Sequence, residues 1–318
     1  MPDPAMALNW SMGTVHKLLE EQGKQGVLAL GSLDRREVEA AAAYLSDEDN
    51  ALGFLYSGWC QSALPHRKLP DDAVWQLRGE RLTLLVEPGR RVLPEGEPIP
   101  VGVPYGSRAR LILLYLQSEA IKTGNREVEL GKSLRSWLAR LGIPVGGKSV
   151  AAVRDQAERI ARCRMSFHYA KGSSSGLVNQ SIVDSALFLE PDEGTGASSF
   201  VERARLSEGF FEQLKRHPVP LEESAIKAVS NNSMALDAYV WLAYRLHSLK
   251  GPTPVTWRAL RVQFGAGFGR SDNFRSHFAA SLRLALAVYP DAKVEQNDQG
   301  IVMHPSRPPV SKDKAAIG

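Results

Sequence analysis

The feature that most constrains the fold is an order of elements in residues 107–189. The spacing of apolar residues predicts a helix that begins at Ser107 and that Gly124 ends, and it predicts further elements downstream. These are a short strand over 126–130, helices over 132–141 and 150–162, and a hairpin of Met165–Tyr169 with Ser185–Leu189 around a flexible tip at 171–176. A helix, a strand, two helices and a hairpin form the order of a winged-helix domain, in which the second and third helices are the helix-turn-helix.

The same order of elements occurs again near the C-terminus, although the residues themselves do not repeat. The predicted elements are a helix over 235–249, a short strand over 254–257, helices over 258–264 and 271–288, and a hairpin of 294–296 with 301–303. The sequence therefore predicts an α+β fold with two tandem winged-helix domains, a flexible N-terminal arm and a flexible C-terminal tail.

Four segments follow from this reading. Residues 1–45 form a loose arm and a short helix, Arg35–Leu45, with Asp34 as its N-cap. Residues 46–199 are the first winged-helix domain with an N-terminal extension, in which a strand over 81–87 is expected to pair with Ile99–Val103. Residues 200–306 are the second domain, after an acidic loop at 192–199, and the proline-containing tail 307–318 is expected to be disordered.

Positive charge is concentrated in the two predicted DNA-binding segments. The whole chain has a net charge of +4, whereas residues 106–171 hold 13 Lys/Arg against 5 Asp/Glu, a net of +8. Residues 251–289 hold 5 against 1, a net of +4, and residues 172–250 hold 7 against 10, a net of −3. Basic patches attract phosphate backbones, although charge alone leaves open a solvated surface without a partner.

The predicted helix over 150–162 has two chemically different faces. Val150, Val153, Ala157 and Ile160 gather on one face, and Lys148, Ala152, Asp155, Arg159 and Arg162 lie opposite them. We interpret it as a recognition helix, and the alternative is an exposed amphipathic helix with an Asp155–Arg159 pair. The candidate DNA-binding residues of the first domain are Arg135, Lys148, Ser149, Arg154, Arg159 and Arg162.

The helix over 271–288 has the same division. Its apolar face holds Phe274, Phe278, Leu282 and Ala285. Asparagine can read adenine, and arginine can read guanine or hold a phosphate. The candidate DNA-binding residues of the second domain are Asn273, Arg275, Ser276 and Arg283.

One motif indicates a different function. Gly142-Ile-Pro-Val-Gly-Gly147-Lys148-Ser149 matches the G-x-x-x-x-G-K-[ST] loop that cradles phosphates in many ATPases. That loop should follow a buried parallel strand, whereas here it follows an amphipathic helix. The same residues also fit a glycine turn with Ser149 as the cap of the next helix, just as Ser271 is expected to cap the last helix.

The remaining residues give no support for catalysis. The seven histidines show no H-x-H or H-E-x-x-H spacing, and Cys60 and Cys163 are too few for a disulfide framework or a zinc site. No apolar stretch is long enough to span a membrane, and no secretory signal is visible. We therefore expect a cytoplasmic protein that is not an enzyme and has no metal and no cofactor.

At several stretches the sequence resembles the plasmid-encoded RepA family of replication initiators. The most specific blocks are Val101-Gly-Val-Pro-Tyr-Gly-Ser-Arg-Ala-Arg-Leu-Ile-Leu-Leu-Tyr-Leu-Gln117 and Val153-Arg-Asp-Gln-Ala-Glu-Arg-Ile160 with Cys163-Arg164. Supporting matches are Ala51–Gly58, Ala63–His66, Leu69–Asp72, Leu82–Gly89 and Gly147–Ser149.

The resemblance implies a bacterial protein that binds repeated sites of double-stranded DNA at a plasmid origin. It also implies help in loading host replication proteins, such as a helicase or a host initiator, and a homodimer in self-repression. It assigns no catalytic residue. Two alternatives stay open: a DNA-binding transcriptional repressor without an initiator role, and an ATP-binding enzyme that uses the glycine loop.

Overall fold

The computed structural model describes residues 13–49, 51–79, 82–130, 132–144, 146–171, 174–180, 182–189 and 200–311. Helices and antiparallel strands both occur along the chain, so the predicted α+β class is confirmed. The predictions for residues 1–12, for the centre of the 171–176 tip, for the loop 192–199 and for 312–318 lie outside the described residues.

The N-terminal region is helical, with α1 over Gly13–Ala29 and α2 over Arg35–Leu45. The prediction of a loose arm is therefore wrong for residues 13–29, because α1 buries Val15, Leu19 and Val27 in the protein core. Gly23, at φ 66°, kinks α1 between its two halves. Asp34 caps α2 as predicted, since its carboxylate accepts a hydrogen bond of 2.8 Å from the Arg36 amide.

Five strands lie in the N-terminal extension of the first predicted domain: β1 (Leu52–Tyr56), β2 (Trp75–Arg78), β3 (Leu82–Glu87), β4 (Gly89–Arg91) and β5 (Ile99–Gly102). The predicted pairing of Ile99–Val103 with β3 is wrong, because β5 pairs with β4. Both edges of β3 are already occupied, one by β2 and the other by a later strand.

The next eight elements contain what we call unit one. They are α3 (Gly106–Thr123), β6 (Glu127–Glu129), α4 (Lys132–Arg140), α5 (Gly147–Arg162), β7 (Arg164–Lys171), β8 (Ser174–Gln180), β9 (Val183–Leu189) and β10 (Phe200–Leu206). Unit one comprises α3, β6, α4, α5, β9 and β10, and its sheet has the order β6-β10-β9. Gly124 ends α3 in the left-handed conformation at φ 64°, as predicted.

The predicted hairpin of Met165–Tyr169 with Ser185–Leu189 is wrong. The first of these strands, β7, pairs with β8 and β3 in a separate sheet of order β2-β3-β7-β8, and the second, β9, pairs with β10. β10 is a strand that was not predicted, although Ala204 and Leu206 are buried and Arg203 and Arg205 are exposed. This alternation is the pattern of a strand that is buried on one face.

A connection of three elements follows: α6 (Glu208–Arg216), β11 (Pro218–Glu222) and α7 (Glu223–Val229). β11 pairs with β1, which joins residues 218–222 to residues 52–56. β10 begins at the predicted domain boundary and completes the sheet of unit one, so residues 200–206 group with the first domain. The boundaries themselves remain a prediction.

What we call unit two comprises α8 (Ser233–Arg245), β12 (Thr253–Thr256), α9 (Trp257–Phe264), α10 (Ser271–Ala287), β13 (Val294–Asn297) and β14 (Gly300–Met303). These elements match the predicted ones in type and order. The sheet has the order β12-β14-β13. At position 300 the glycine is required, because an added Cβ would lie 2.0 Å from the carbonyl oxygen of Val255 on β12.

The C-terminal residues pack against unit two as far as the structure describes them. Val310 is buried, and the Tyr289 hydroxyl donates a hydrogen bond of 2.6 Å to the Arg307 carbonyl. The prediction of a disordered tail is therefore wrong for residues 307–311. One hydrophobic cluster runs from α1 through both units to β14.

Candidate nucleic-acid interface

The glycine-rich segment Gly142–Ser149 connects two helices. α4 ends at Arg140 and α5 begins at Gly147, with Gly146 as its N-cap and no side-chain cap. Ser149 lies inside the first turn of α5, so the predicted Ser149 cap is wrong. Because no strand precedes this loop, it lacks the strand–loop–helix setting in which the ATPase motif cradles phosphates. The predicted Ser271 cap is also wrong, since Arg270 is the N-cap of α10.

The first half of α5 presents a polar surface. Lys148, Ala151 and Ala152 are exposed, Ser149 and Arg154 are half-buried, and Val153 and Ala157 face the core. Arg135 is exposed on the preceding helix, α4. The predicted division of this helix into two faces is therefore found over its first two turns, which is the part of a recognition helix that contacts base edges.

The second half of α5 does not present such a polar surface. The prediction that Arg159 faces solvent is wrong. Its side chain is only 5% exposed, and it forms ion pairs with Asp155 at 2.9 Å and Asp71 at 3.2 Å. Its guanidinium also lies 5.3 Å from the centre of the Tyr105 ring. The helical pattern predicted a solvent-facing arginine because it could not show that residues 71 and 105 cover this position.

Arg162 is also engaged within the protein. Its Nε lies 2.9 Å from Glu158 Oε1, and its Nη1 donates to the Arg90 carbonyl at 3.3 Å. Glu158 is buried and also pairs with Arg91 of β4. The hairpin of β4 and β5 thus holds this end of α5, and Arg162 contacts that hairpin, so its role as a DNA contact stays a prediction.

The first turns of α10 are more open than those of α5. Asn273, Arg275 and Ser276 are all exposed, as predicted, and the Arg275 guanidinium lies 5.8 Å from the centre of the Trp257 ring. The opposite face is buried, as the sequence predicts, with Phe274 and Phe278 packed against each other. These residues are therefore displayed on a rigid helix.

Arg283, three turns further along α10, has a different setting. Its Nε lies 2.6 Å from Glu37 Oε1 of α2, and its side chain is 46% exposed. Burial raises the pKa of Glu37, while the hydrogen bond from Arg283 lowers it. Arg283 is therefore exposed as predicted but paired with α2, and its role as a DNA contact stays a prediction.

Sequence reasoning missed the arginines beside the turn between α9 and α10. Arg261 donates to Ser271 Oγ at 2.7 Å and to the carbonyls of Phe268 at 3.0 Å and Gly269 at 3.2 Å. These bonds fix the start of α10 relative to α9. Arg258, one turn earlier on α9, is exposed. The spacing of three residues between two arginines on a predicted helix was the signal that could have found them.

A buried ion pair connects the two units. Arg110 of α3 and Asp237 of α8 form two contacts of 2.6 Å, and each side chain is 9% exposed. Beside them, His66 Nδ1 lies 2.9 Å from Ser233 Oγ. Burial and the nearby Arg110 charge lower the pKa of His66 to about 4, so this histidine is neutral at pH 7.

The described residues hold no group of three or more His, Cys, Asp or Glu side chains arranged to bind a metal ion. Both cysteines are buried, and burial raises the pKa of each thiol. None of the described helices combines the length and the apolar character needed to cross a membrane.

Comparison with known proteins identifies one family whose sequence profile matches part of this chain. Residues 103–258 match the sequence profile of a family described as "Plasmid encoded RepA protein". No curated protein shows a significant match to the chain. Two crystal structures of domains 2 and 3 of RctB are similar in shape. The first, of selenomethionine derivatives, has a TM-score of 0.49 at 11% identity and covers 81% of this chain and 99% of that chain. The second has a TM-score of 0.43 at 12% identity and covers 76% and 93%.

The matched segment begins just before α3, ends within α9, and contains the most specific blocks of the resemblance noted in the sequence, apart from the first two residues of the Val101–Gln117 block. The resemblance is therefore confirmed over residues 103–258, which match the plasmid-encoded RepA family.

Proposed function

We propose that this protein is a plasmid replication initiator that binds repeated sites of double-stranded origin DNA through two winged-helix domains. The family match supports the role at a plasmid. DNA binding is carried by one structural observation, the presence of the same element order and sheet order in two places along the chain.

The two units share a topology that suits a winged helix. In each, the first helix is followed by a short strand, two helices and a pair of antiparallel strands, with β7 and β8 inserted before that pair in unit one. The last strand of each unit lies between the other two in its sheet. In a winged helix, the third helix enters the major groove and the second crosses the backbone. We therefore assign α5 and α10 as recognition helices, and the hairpins β9–β10 and β13–β14 as wings.

The exposed residues of each recognition helix have the chemistry for this role. Lys148 at the start of α5 can hold a phosphate, and Asn273 of α10 can form two hydrogen bonds with adenine. Arg275 can donate to guanine or to a phosphate. The local net charges of +8 over residues 106–171 and +4 over residues 251–289 support binding to a polyanion at both units.

We further propose that the protein acts in the cytoplasm by binding rather than by catalysis. The glycine-rich loop between α4 and α5 supports this view, because its helix–loop–helix setting suits a phosphate of DNA better than a nucleotide. Recruitment of host replication proteins and formation of a homodimer belong to the same proposal, and they rest on the family alone.

The proposal is tested by combining a binding assay with a replication assay. The full chain should shift duplex DNA from the region upstream of its gene at lower concentration than unrelated duplex, with an affinity that falls as salt rises. A plasmid that lacks the gene should be lost from cells and kept when the gene is supplied from a second replicon. If the plasmid is maintained without the gene, the protein is a repressor and not an initiator. If neither duplex is bound, the proposal fails.

A further inference from the structure

We propose that a groove between β2 and the helices α9 and α10 binds the phosphodiester backbone of the DNA next to the site that α10 reads, with Arg78 and Arg258 as the phosphate-binding residues. This inference rests on the proposed function and adds to it a contact that lies outside both recognition helices.

The groove has a volume of about 600 Å³ and is open to solvent. One wall is the end of β2, and the other walls are α9, the turn after it and the start of α10. We call it the arginine groove, and its lining residues include Gln76, Leu77, Arg78, Trp257, Arg258, Arg261, Gly265, Phe268, Ser271 and Arg275.

The charge of the arginine groove is of one sign. Four of its lining residues are arginines and none is Asp or Glu, whereas the whole chain is nearly balanced with 39 Lys/Arg and 35 Asp/Glu. Asp272 is exposed on the first turn of α10 but does not line the groove. Such a surface attracts an anion, and arginine forks suit the paired oxygens of a phosphate.

The four arginines are not equivalent. Arg261 already donates hydrogen bonds to the Ser271 hydroxyl and the Phe268 carbonyl. The Arg275 guanidinium lies over the Trp257 ring. Arg78 and Arg258 are exposed and form no ion pair among the residues that the structure describes. They are therefore the two whose donors can be given to a ligand without breaking an ion pair among the described residues.

The position of the groove points to DNA backbone. It opens at the N-terminal end of α10, where a helix of 17 residues presents unbonded amide groups and a partial positive charge. In a helix-turn-helix complex, the backbone of the bound duplex passes beside the turn between the two helices. A phosphate at that place would face Arg258 and the start of α10.

Arg78 connects the arginine groove to another part of the chain, because this residue lies outside unit two. It ends β2, and β2 belongs to the sheet in which β7 follows directly from α5. A phosphate held by Arg78 and Arg258 together would therefore be shared by the segment attached to unit one and by unit two. This would fix the spacing between the two DNA contacts.

The test measures DNA binding by the full chain with Arg78→Ala and Arg258→Ala, against Arg216→Ala as a matched control. Arg216 is an exposed arginine that lines a different pocket, together with His217 and Pro308. Each groove variant should lose about tenfold in affinity at 0.1 M salt, for origin and unrelated duplex alike, as expected for one charge-assisted hydrogen bond. The slope of log K against log salt should become shallower by about 1, and Arg216→Ala should change neither quantity.

Phosphate-ethylation interference locates the contact. With wild-type protein, ethylation of a phosphate beside the α10 site should weaken binding, and with Arg78→Ala that interference should vanish while the others remain. Arg78→Lys should retain most of the affinity, and melting temperatures identify any variant that has lost its fold.

The outcomes separate this inference from the proposed function. If wild-type protein binds no duplex, the proposed function fails and the groove proposal fails with it. If wild type binds and both groove variants behave like Arg216→Ala, the groove proposal is overturned while the proposed function stands. A loss confined to origin DNA would also overturn it, because a backbone contact cannot distinguish sequences.

Discussion

The two units share one topology and differ in what covers their third helix. In unit one, the second half of α5 is held by Asp71 and by the hairpin of β4 and β5, which engage Arg159 and Arg162. In unit two, the polar face of α10 is exposed over its first two turns, and Arg283 near its end pairs with Glu37 of α2. Unit one also carries β7 and β8 between its third helix and its hairpin, whereas β13 follows α10 after six residues.

This difference shows that the spacing of residues along a helix does not by itself determine which of its side chains are exposed. The spacing of residues along α5 separates the side that packs on its own unit from the opposite side. It gives no information about segments far away in sequence that cover the opposite side. Arg159 lies opposite the core and is still buried, and one of the residues that bind it, Asp71, comes from a loop 88 positions earlier.

The largest expected effect concerns the connection between the units. Arg110→Ala should lower the free energy of unfolding by roughly 3–5 kcal/mol, because it leaves the buried Asp237 carboxylate without its partner. Urea unfolding at pH 7 measures this. The paired replacement of Arg110 by Met and Asp237 by Leu should recover much of the loss. A loss below about 1 kcal/mol in Arg110→Ala would contradict a structural role for this ion pair.

The second prediction sharpens the contrast between the two proposed recognition helices. Arg159→Ala should cost about 2 kcal/mol of stability, less than a fully buried pair because Asp71 and Asp155 are partly exposed, and leave the DNA affinity of folded protein unchanged. Asn273→Ala should do the reverse, with about 1–3 kcal/mol lost from specific binding and little change in stability. If Arg159→Ala instead weakens binding without destabilising the protein, α5 reads DNA along its whole length.

The third prediction is a pH dependence at the contact between the units. Unfolded His66 binds a proton near its ordinary pKa of 6.5, whereas the folded protein binds it only near 4, so the free energy of unfolding falls as pH falls between these values. From pH 7 to pH 5, this one group should remove about 2 kcal/mol. In His66→Gln, the loss between these pH values should be smaller by that amount. Equal losses in both proteins would show that His66 titrates normally.

The smallest expected effect concerns Lys148. Lys148→Ala should make the salt dependence of DNA binding shallower by about 1 in log–log slope, because one phosphate contact is lost. Lys17→Ala, with a side chain 74% exposed on α1, is the matched control and should change nothing. Nucleotide hydrolysis should be absent from wild type and variant alike. Hydrolysis that wild type shows and Lys148→Ala lacks would favour the ATPase alternative.

Local sequence patterns predicted an element correctly where neighbouring residues alone determine its structure. The buried face of α10, the hairpin of β13 and β14, and the capping of α2 by Asp34 all depend on neighbouring residues, and all were predicted. The pairing of β9 with β10 and the helix α1 were missed. A strand of seven residues after an acidic loop, and a helix kinked at Gly23, have weak local patterns that tertiary packing decides.

The candidate site could be predicted only in part for the same reason. Asn273, Arg275, Ser276, Lys148 and Arg135 were predicted to face solvent, and they do. Arg159 was wrongly predicted to face solvent because its partner Asp71 lies 88 positions away, and the ion pair of Arg283 with Glu37, 246 positions away, could not be predicted either. Arg78 could not be found, since nothing in its own strand indicates that β2 lies beside α9.

The central claim is that both units hold the same DNA molecule, and nuclease footprinting of the full chain on origin DNA tests it most directly. Two matched variants place a negative charge on each proposed DNA-facing helix, Ala152→Glu on α5 and Ala280→Glu on α10, and Ala43→Glu on α2 is the control. All three alanines are exposed and helical. Wild type and Ala43→Glu should protect about two helical turns, with contacts roughly 10 bp apart. Each of the other variants should lose one half of the footprint, a different half in each case. If either variant leaves the footprint whole, or if both lose the same half, the claim that two units bind one duplex is contradicted.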